Sequence, residues 1–116
     1  MSSLTYVIDI DGTICSQTDG DYNLAVPFEN RITLINDLYE QGHHIIYFTA
    51  RGMGSTNNNI SAAYAKMYSF TEKQLSDWGA KYHSLFLGKP RADLYIDDKA
   101  MKDSNFFDSL TGSDLR

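Results

Sequence analysis

The run Tyr6-Val7-Ile8-Asp9-Ile10-Asp11-Gly12-Thr13 carries two carboxylates, two positions apart, at the close of an apolar stretch. Side chains alternate along an extended chain, so Asp9 and Asp11 lean to the same side. Two carboxylates this close repel each other, and burying them without a partner is expensive. A divalent cation resolves the conflict, and hard oxygen ligands of this kind favour Mg²⁺. Gly12 then lets the backbone turn sharply and approach a ligand closely. A second acidic pair closes Leu94-Tyr95-Ile96-Asp97-Asp98 in the same way. One such pair alone reads as a solvated loop or a helix cap. Two of them, each delivered by an apolar run, point to a metal site.

A second kind of chemistry follows another apolar run, at Thr49-Ala50-Arg51. A hydroxyl, free backbone amides and a cation at one place suit a phosphoryl group, which needs donors on its equatorial oxygens. Thr49 alone would be an ordinary β-branched strand residue. Arg51 has two readings, a substrate contact or the partner of an acid. Lys89, in Gly88-Lys89-Pro90, comes after a third apolar run and just ahead of the second acidic pair. A lone lysine is usually a solvated charge, and this one is singled out by its place in that order.

These groups can meet only if the chain brings the ends of its apolar runs together. Tyr6 to Ile10, His44 to Phe48, Ser84 to Leu87 and Leu94 to Ile96 read as buried strands. Between the first two, Phe28, Ile32, Ile35 and Tyr39 recur at helical spacing, with Pro27 ahead and Gly42 as a stop. A second helix is expected from Ile60 to Tyr68. A third is expected from Thr71 to Trp78, opened by Thr71 as a cap and closed by Gly79. Alternating strands and helices give an α/β fold: a Rossmann-like open sheet of mainly parallel strands with crossover helices. In such sheets ligands bind beyond the carboxyl ends of the strands, where every group named above falls. Asp19-Gly20-Asp21, inside Thr13 to Pro27, suggests a hairpin or flap over that edge. Gly52 to Asn59 reads as a polar loop, with its asparagine triplet serving the turn and the next helix cap.

With 116 residues, 42% of them hydrophobic, the chain suits one domain over 1–116. A net charge of −5 argues against a nucleic-acid partner. No apolar run approaches the roughly 20 residues of a membrane span, and Met1-Ser2-Ser3 leads straight into a strand pattern. The single cysteine, Cys15, has no internal disulfide partner, so a cytoplasmic location is expected. Cys15 itself reads as a small loop residue, since no histidine partner for a nucleophile is evident. His43, His44 and His83 stand at strand starts, opposite the expected site, and read as structural. Trp78, Tyr82, Phe106 and Phe107 read as core or interface aromatics.

Taken in order, Asp9-Ile10-Asp11-Gly12-Thr13, Thr49, Lys89 and Asp97-Asp98 resemble the haloacid dehalogenase superfamily across Tyr6 to Asp98. The resemblance implies that Asp9 is the nucleophile forming an aspartyl-phosphate and that Asp11 is the general acid/base. It implies that Thr49, with Ala50 and Arg51 at the same edge, binds the phosphoryl group, and that Lys89 steadies Asp9 and the phosphoryl charge. Mg²⁺ would be held by the Asp9 carboxylate, the Asp11 carbonyl and the last pair. Either member of that pair could present a hard oxygen; Asp98 is favoured as the direct ligand and Asp97 as the partner of Lys89. Dehalogenases and phosphonatases of the superfamily lack an acid at the position of Asp11, so phosphate esters are the expected substrates.

Only about 35 residues separate Thr13 from Thr49, and a similar number separate Thr49 from Lys89, which leaves no room for a folded cap domain. The resemblance is therefore to small capless phosphatases, such as those associated with capsule polysaccharide biosynthesis or keto-deoxy sugar acid phosphates. The expectation is a phosphatase of a small phosphorylated metabolite, with either self-association or the flap covering the open site. The rival expectations are a phosphatase of a macromolecular substrate and a noncatalytic binding or regulatory domain. The role of Lys99 to Arg116 is left open.

Overall fold

A computed structural model describes residues 2–111; Met1 and residues 112–116, which fall within the expected domain and C-terminal segment, lie outside the described residues. Three strands, β1 (Thr5–Ile8), β2 (His44–Thr49) and β3 (Ser84–Leu87), form a parallel sheet in the order β1-β2-β3. The crossovers are α1 (Glu29–Glu40) and α2 (Ile60–Asp77), and α3 (Asp103–Leu110) follows the sheet. This is the expected Rossmann-like α/β architecture. No helix is long and apolar enough to cross a membrane among the described residues.

The register places Ile8 beside Tyr47 and Tyr47 beside Leu85, so these three side chains share one buried face. Ile32, Ile35 and Leu38 of α1, Leu75 of α2 and Phe107 of α3 join them in one core cluster. The other face is less covered: Val7 is 61% exposed and Phe86 is 47% exposed. All three strands were expected to be buried on both faces, and here the burial alternates with a period of two.

Three expected elements differ. The second and third helices are one continuous 18-residue helix, α2, because Thr71 does not cap anything. It is fully buried in mid-helix, where its hydroxyl accepts from Arg51, and that partner removes the penalty for an interior hydroxyl. The cap of α2 is Asn59, whose side chain accepts from the Ala62 amide at 3.0 Å. The fourth strand does not form. Leu94 is 76% and Ile96 92% exposed, and Tyr95 turns back, with its ring over Lys89 and its hydroxyl donating to the Pro90 carbonyl. The segment after Thr13 is not a hairpin but a compact loop with one 3₁₀ turn, Tyr22–Leu24, pinned by the isolated Cys15–Pro27 bridge.

Candidate active site

The turn after β1 is built on buried Ile10 and Ile14. The amides of Thr13 and Ile14 both donate to the Ile10 carbonyl, at 3.0 and 2.9 Å, and Gly12 sits at φ +84. This folds Thr13 back so that its hydroxyl donates to Asp9 Oδ2 at 3.0 Å. Lys89, two residues beyond β3, donates from Nζ to Asp9 Oδ1 at 3.3 Å. The two oxygens of the Asp9 carboxylate are thus held separately, one by a hydroxyl and the other by an ammonium, while a third of its side chain remains exposed.

Asp11 is held differently. Arg51 Nε donates to Oδ2 and Nη2 to Oδ1, both at 2.9 Å, in a two-pronged ion pair. The guanidinium is itself completely buried. Its Nη1 donates to Gln74 Oε1 at 2.7 Å and to Thr71 Oγ1 at 3.3 Å, and its Cζ lies 4.5 Å from the centre of the Tyr22 ring. Of the two readings of Arg51, the geometry shows the partner of an acid. Burial, and then the charge of Asp11, raises the pKa of Tyr22, so this ring carries a neutral phenol beside the ion pair. Gln74 closes the network by donating to the Tyr22 carbonyl at 2.7 Å, which ties the flap to α2.

Thr49, buried at the end of β2, accepts the Arg51 amide on its hydroxyl oxygen at 3.0 Å, so its own proton is free for another acceptor. Asp9, Asp11, Thr49, Ala50, Arg51 and Lys89 all line one cleft of about 640 Å³ at the carboxyl edge of the sheet. Gln17, Asp19, Gly20 and Tyr22 of the flap line its other side.

Asp97 and Asp98 are exposed and do not line this cleft. Asp97 accepts the Lys99 amide at 3.0 Å, which, with Asp98 next, holds its carboxyl below the usual range; the ammonium of Lys89 is engaged by Asp9 instead. No group of three metal-ligating His, Cys, Asp or Glu side chains gathers anywhere among the described residues. The oxygens at the end of β1, the Asp9 carboxylate and the Asp11 carbonyl, suit Mg²⁺, which typically takes one or two carboxylates and fills its octahedron with water and substrate phosphate.

The histidines serve the opposite edge. His43 Nδ1 accepts the Leu4 amide and His83 Nδ1 the Ile45 amide, each at 3.0 Å. Gln74, Lys66 and Arg91 did not stand out in the sequence.

No family model and no curated protein matches the chain. Among solved structures, a structural-genomics target from Vibrio cholerae is similar at a TM-score of 0.81 and 26% identity, over 88% of this chain and 85% of that one. A D,D-heptose 1.7-bisphosphate phosphatase from B. bronchiseptica, crystallised with magnesium and phosphate, is similar at a TM-score of 0.52 and 15% identity. That match covers 85% of this chain and 54% of the other, so the chain spans about half of that enzyme. The likeness is one of fold, a Rossmann-like open α/β sheet.

Proposed function

We propose that the protein is a Mg²⁺-dependent phosphomonoesterase that works through an aspartyl-phosphate on Asp9 and acts on a small phosphorylated metabolite. The observation that carries this reading is the oriented yet accessible carboxylate of Asp9, held between Lys89 and Thr13 with Asp11 two residues on. In the first step an Asp9 oxygen attacks phosphorus, the ester P–O bond breaks, and Asp11 protonates the departing oxygen. In the second step Asp11 takes a proton from water, which attacks the acyl phosphate and regenerates the Asp9 carboxylate with release of inorganic phosphate. Lys89 offsets negative charge on Asp9 and on the phosphoryl oxygens. The free hydroxyl proton of Thr49 supplies a donor to the same oxygens.

Arg51 fixes the orientation of Asp11: Oδ1 accepts from Arg51 and from the Cys15 thiol, while Oδ2 accepts from Arg51 and keeps a second lone pair for the proton being moved. Mg²⁺ at the Asp9 carboxylate and Asp11 carbonyl would neutralise phosphoryl charge. Asp98 is the proposed third protein ligand, and Asp97 its neighbour. Both lie on the exposed stretch 91–100, which has no sheet pairing to break before it could approach. A cleft of about 640 Å³ lies within the usual range for small-molecule sites and supports a metabolite over a macromolecular end.

The test is turnover of aryl and alkyl phosphates with Mg²⁺, combined with trapping of labelled phosphate on the protein after acid quench. Label on Asp9 that disappears in Asp9→Asn, together with turnover, is expected. No turnover across a panel of phosphate esters would overturn the reading.

A further inference from the structure

The cleft holds four cations, Arg51, Lys66, Lys89 and Arg91, against three carboxylates, Asp9, Asp11 and Asp19, in a chain whose net charge is −5. Arg51 is committed to Asp11 and Lys89 to Asp9. Lys66 and Arg91 form no ion pair with any described carboxylate, Asp19 included. An excess of positive charge lining a concave site in an acidic protein suits an anionic ligand.

These two cations are seated by the loop between β2 and α2. Lys66, from α2, donates to Ser55 Oγ at 2.9 Å. The Arg91 amide donates to Asn58 Oδ1 at 3.1 Å. The Arg91 side chain lies directly on Gly54, where a Cβ would come within 2.8 Å of Nη1 and 2.9 Å of Cδ, so a larger residue there would displace the Arg91 arm from this position. Asn57 and Asn58 take left-handed φ values of 57 and 60, which Asn tolerates better than most residues, and Asn59 caps α2. The Gly and Asn content of residues 52–59 is thus what places Ser55, Lys66 and Arg91 together along the cleft.

We infer that Lys66, Arg91 and the Ser55 hydroxyl form a second anion subsite, and that the preferred substrate carries a carboxylate or a second phosphate besides the phosphoryl group that is transferred. This rests on the reading that Asp9 accepts the phosphoryl group. Lys89 and Thr49 would serve the reacting end, and Lys66 and Arg91 the far end. A fork of guanidinium donors and one ammonium can satisfy either anion, and a neutral polyol would leave both charges without a counterion.

The experiment compares glucose monophosphate, phosphogluconate and glucose bisphosphate, which differ in carrying a neutral, carboxylate or phosphate group beyond the scissile ester. The wild-type protein should favour at least one doubly anionic ester by about tenfold or more in kcat/KM, mainly through KM, and the better of the two identifies the anion. Lys66→Gln and Arg91→Gln should each reduce that ratio, and the double variant should bring it near unity. Lys73→Gln, on the exposed Lys73–Asp77 pair, should leave the ratio as it is. The same esters are titrated calorimetrically into Asp9→Asn protein, which reads binding without turnover. Tighter binding of a doubly anionic ester, lost in the double variant, supports the subsite even if no ester is turned over, in which case the phosphatase reading alone fails. Turnover with equal kcat/KM for all three esters overturns the subsite and leaves the phosphatase reading standing.

Discussion

Arg51 grips both carboxylate oxygens of Asp11 at 2.9 Å from a position with no solvent exposure of its own, and it is held there by Thr71 and Gln74. The carboxylate two residues after Asp9 is therefore not a freely rotating side chain. Its direction is set by a cation that α2 locks in place.

Asp11→Asn should slow the first step far more for an alkyl phosphate than for a nitrophenyl phosphate, since nitrophenolate departs with little help. The alkyl loss is expected at roughly 10²–10⁴-fold. Arg51→Lys keeps the charge but loses the fork, and should show the same alkyl-over-aryl bias at smaller size. In the double variant the alkyl loss should be no larger than in Asp11→Asn alone, because both changes act through one side chain. Rapid-quench kinetics on the two ester types checks this; equal losses for both would mean that Arg51 serves stability only.

Excess chelator should abolish turnover, and Mg²⁺ should restore it. Asp98→Asn should raise the Mg²⁺ concentration needed for half-maximal activity by about tenfold or more, in line with loss of a charged oxygen ligand. Saturating Mg²⁺ should also slow tryptic cleavage after Lys99 and Lys102 if residues 91–100 contribute to the site. Unchanged cleavage and unchanged Mg²⁺ dependence in Asp98→Asn would remove that residue from the ligand set.

Burial, reinforced by the charge of Asp11, pushes the Cys15 thiol up to about 12 from its ordinary 9.0. A thiol reagent at pH 8 should therefore label the native protein only as fast as the chain opens, and denaturant should release the site. The folded pKa is the higher one, so this contribution to stability is complete below pH 9 and is lost as pH rises toward 12. Cys15→Ala should flatten the alkaline end of a urea-midpoint profile taken over that window.

Asp103 on α3 receives Arg31 Nη1 at 2.7 Å, which holds its carboxyl below the ordinary 3.8. A lowered pKa contributes stability above the ordinary value, and the contribution is lost as pH falls through the folded one. With both side chains about a quarter exposed, the effect should be about 1 kcal/mol at neutral pH. Because the same nitrogen also donates to the Thr13 carbonyl at 2.9 Å, Asp103→Asn should loosen the turn that holds Asp9. Urea unfolding at pH 7 and pH 3 should show wild type and variant converging at the acidic end.

The strand-end groups were legible because type and position coincide: an acid, a hydroxyl and a lysine each follow an apolar run, and parallel strands bring those ends together. Glu29–Glu40 was legible too, between Pro27 and Gly42. Thr71 was not, since a threonine followed by helix formers reads the same whether it caps a helix or accepts from a buried guanidinium. Leu94 to Ile96 has strand composition but only three apolar residues, and the Tyr95 contacts with Lys89 and Pro90 outcompete pairing. Lys66 and Arg91 look like surface charges in the sequence; their meaning depends on a loop geometry that Gly54 and Asn58 supply.

Because α2 runs unbroken, Lys66 at the mouth of the cleft and Thr71 and Gln74 beneath the Arg51 guanidinium ride on a single rod, about 12 Å apart from Lys66 to Gln74 at 1.5 Å per residue. Inserting or deleting one residue between them would turn one group about 100° relative to the other. Exchange of side chains along the rod can thus alter the Lys66 end alone, whereas a change in its length would uncouple that end from the acid that Arg51 aims.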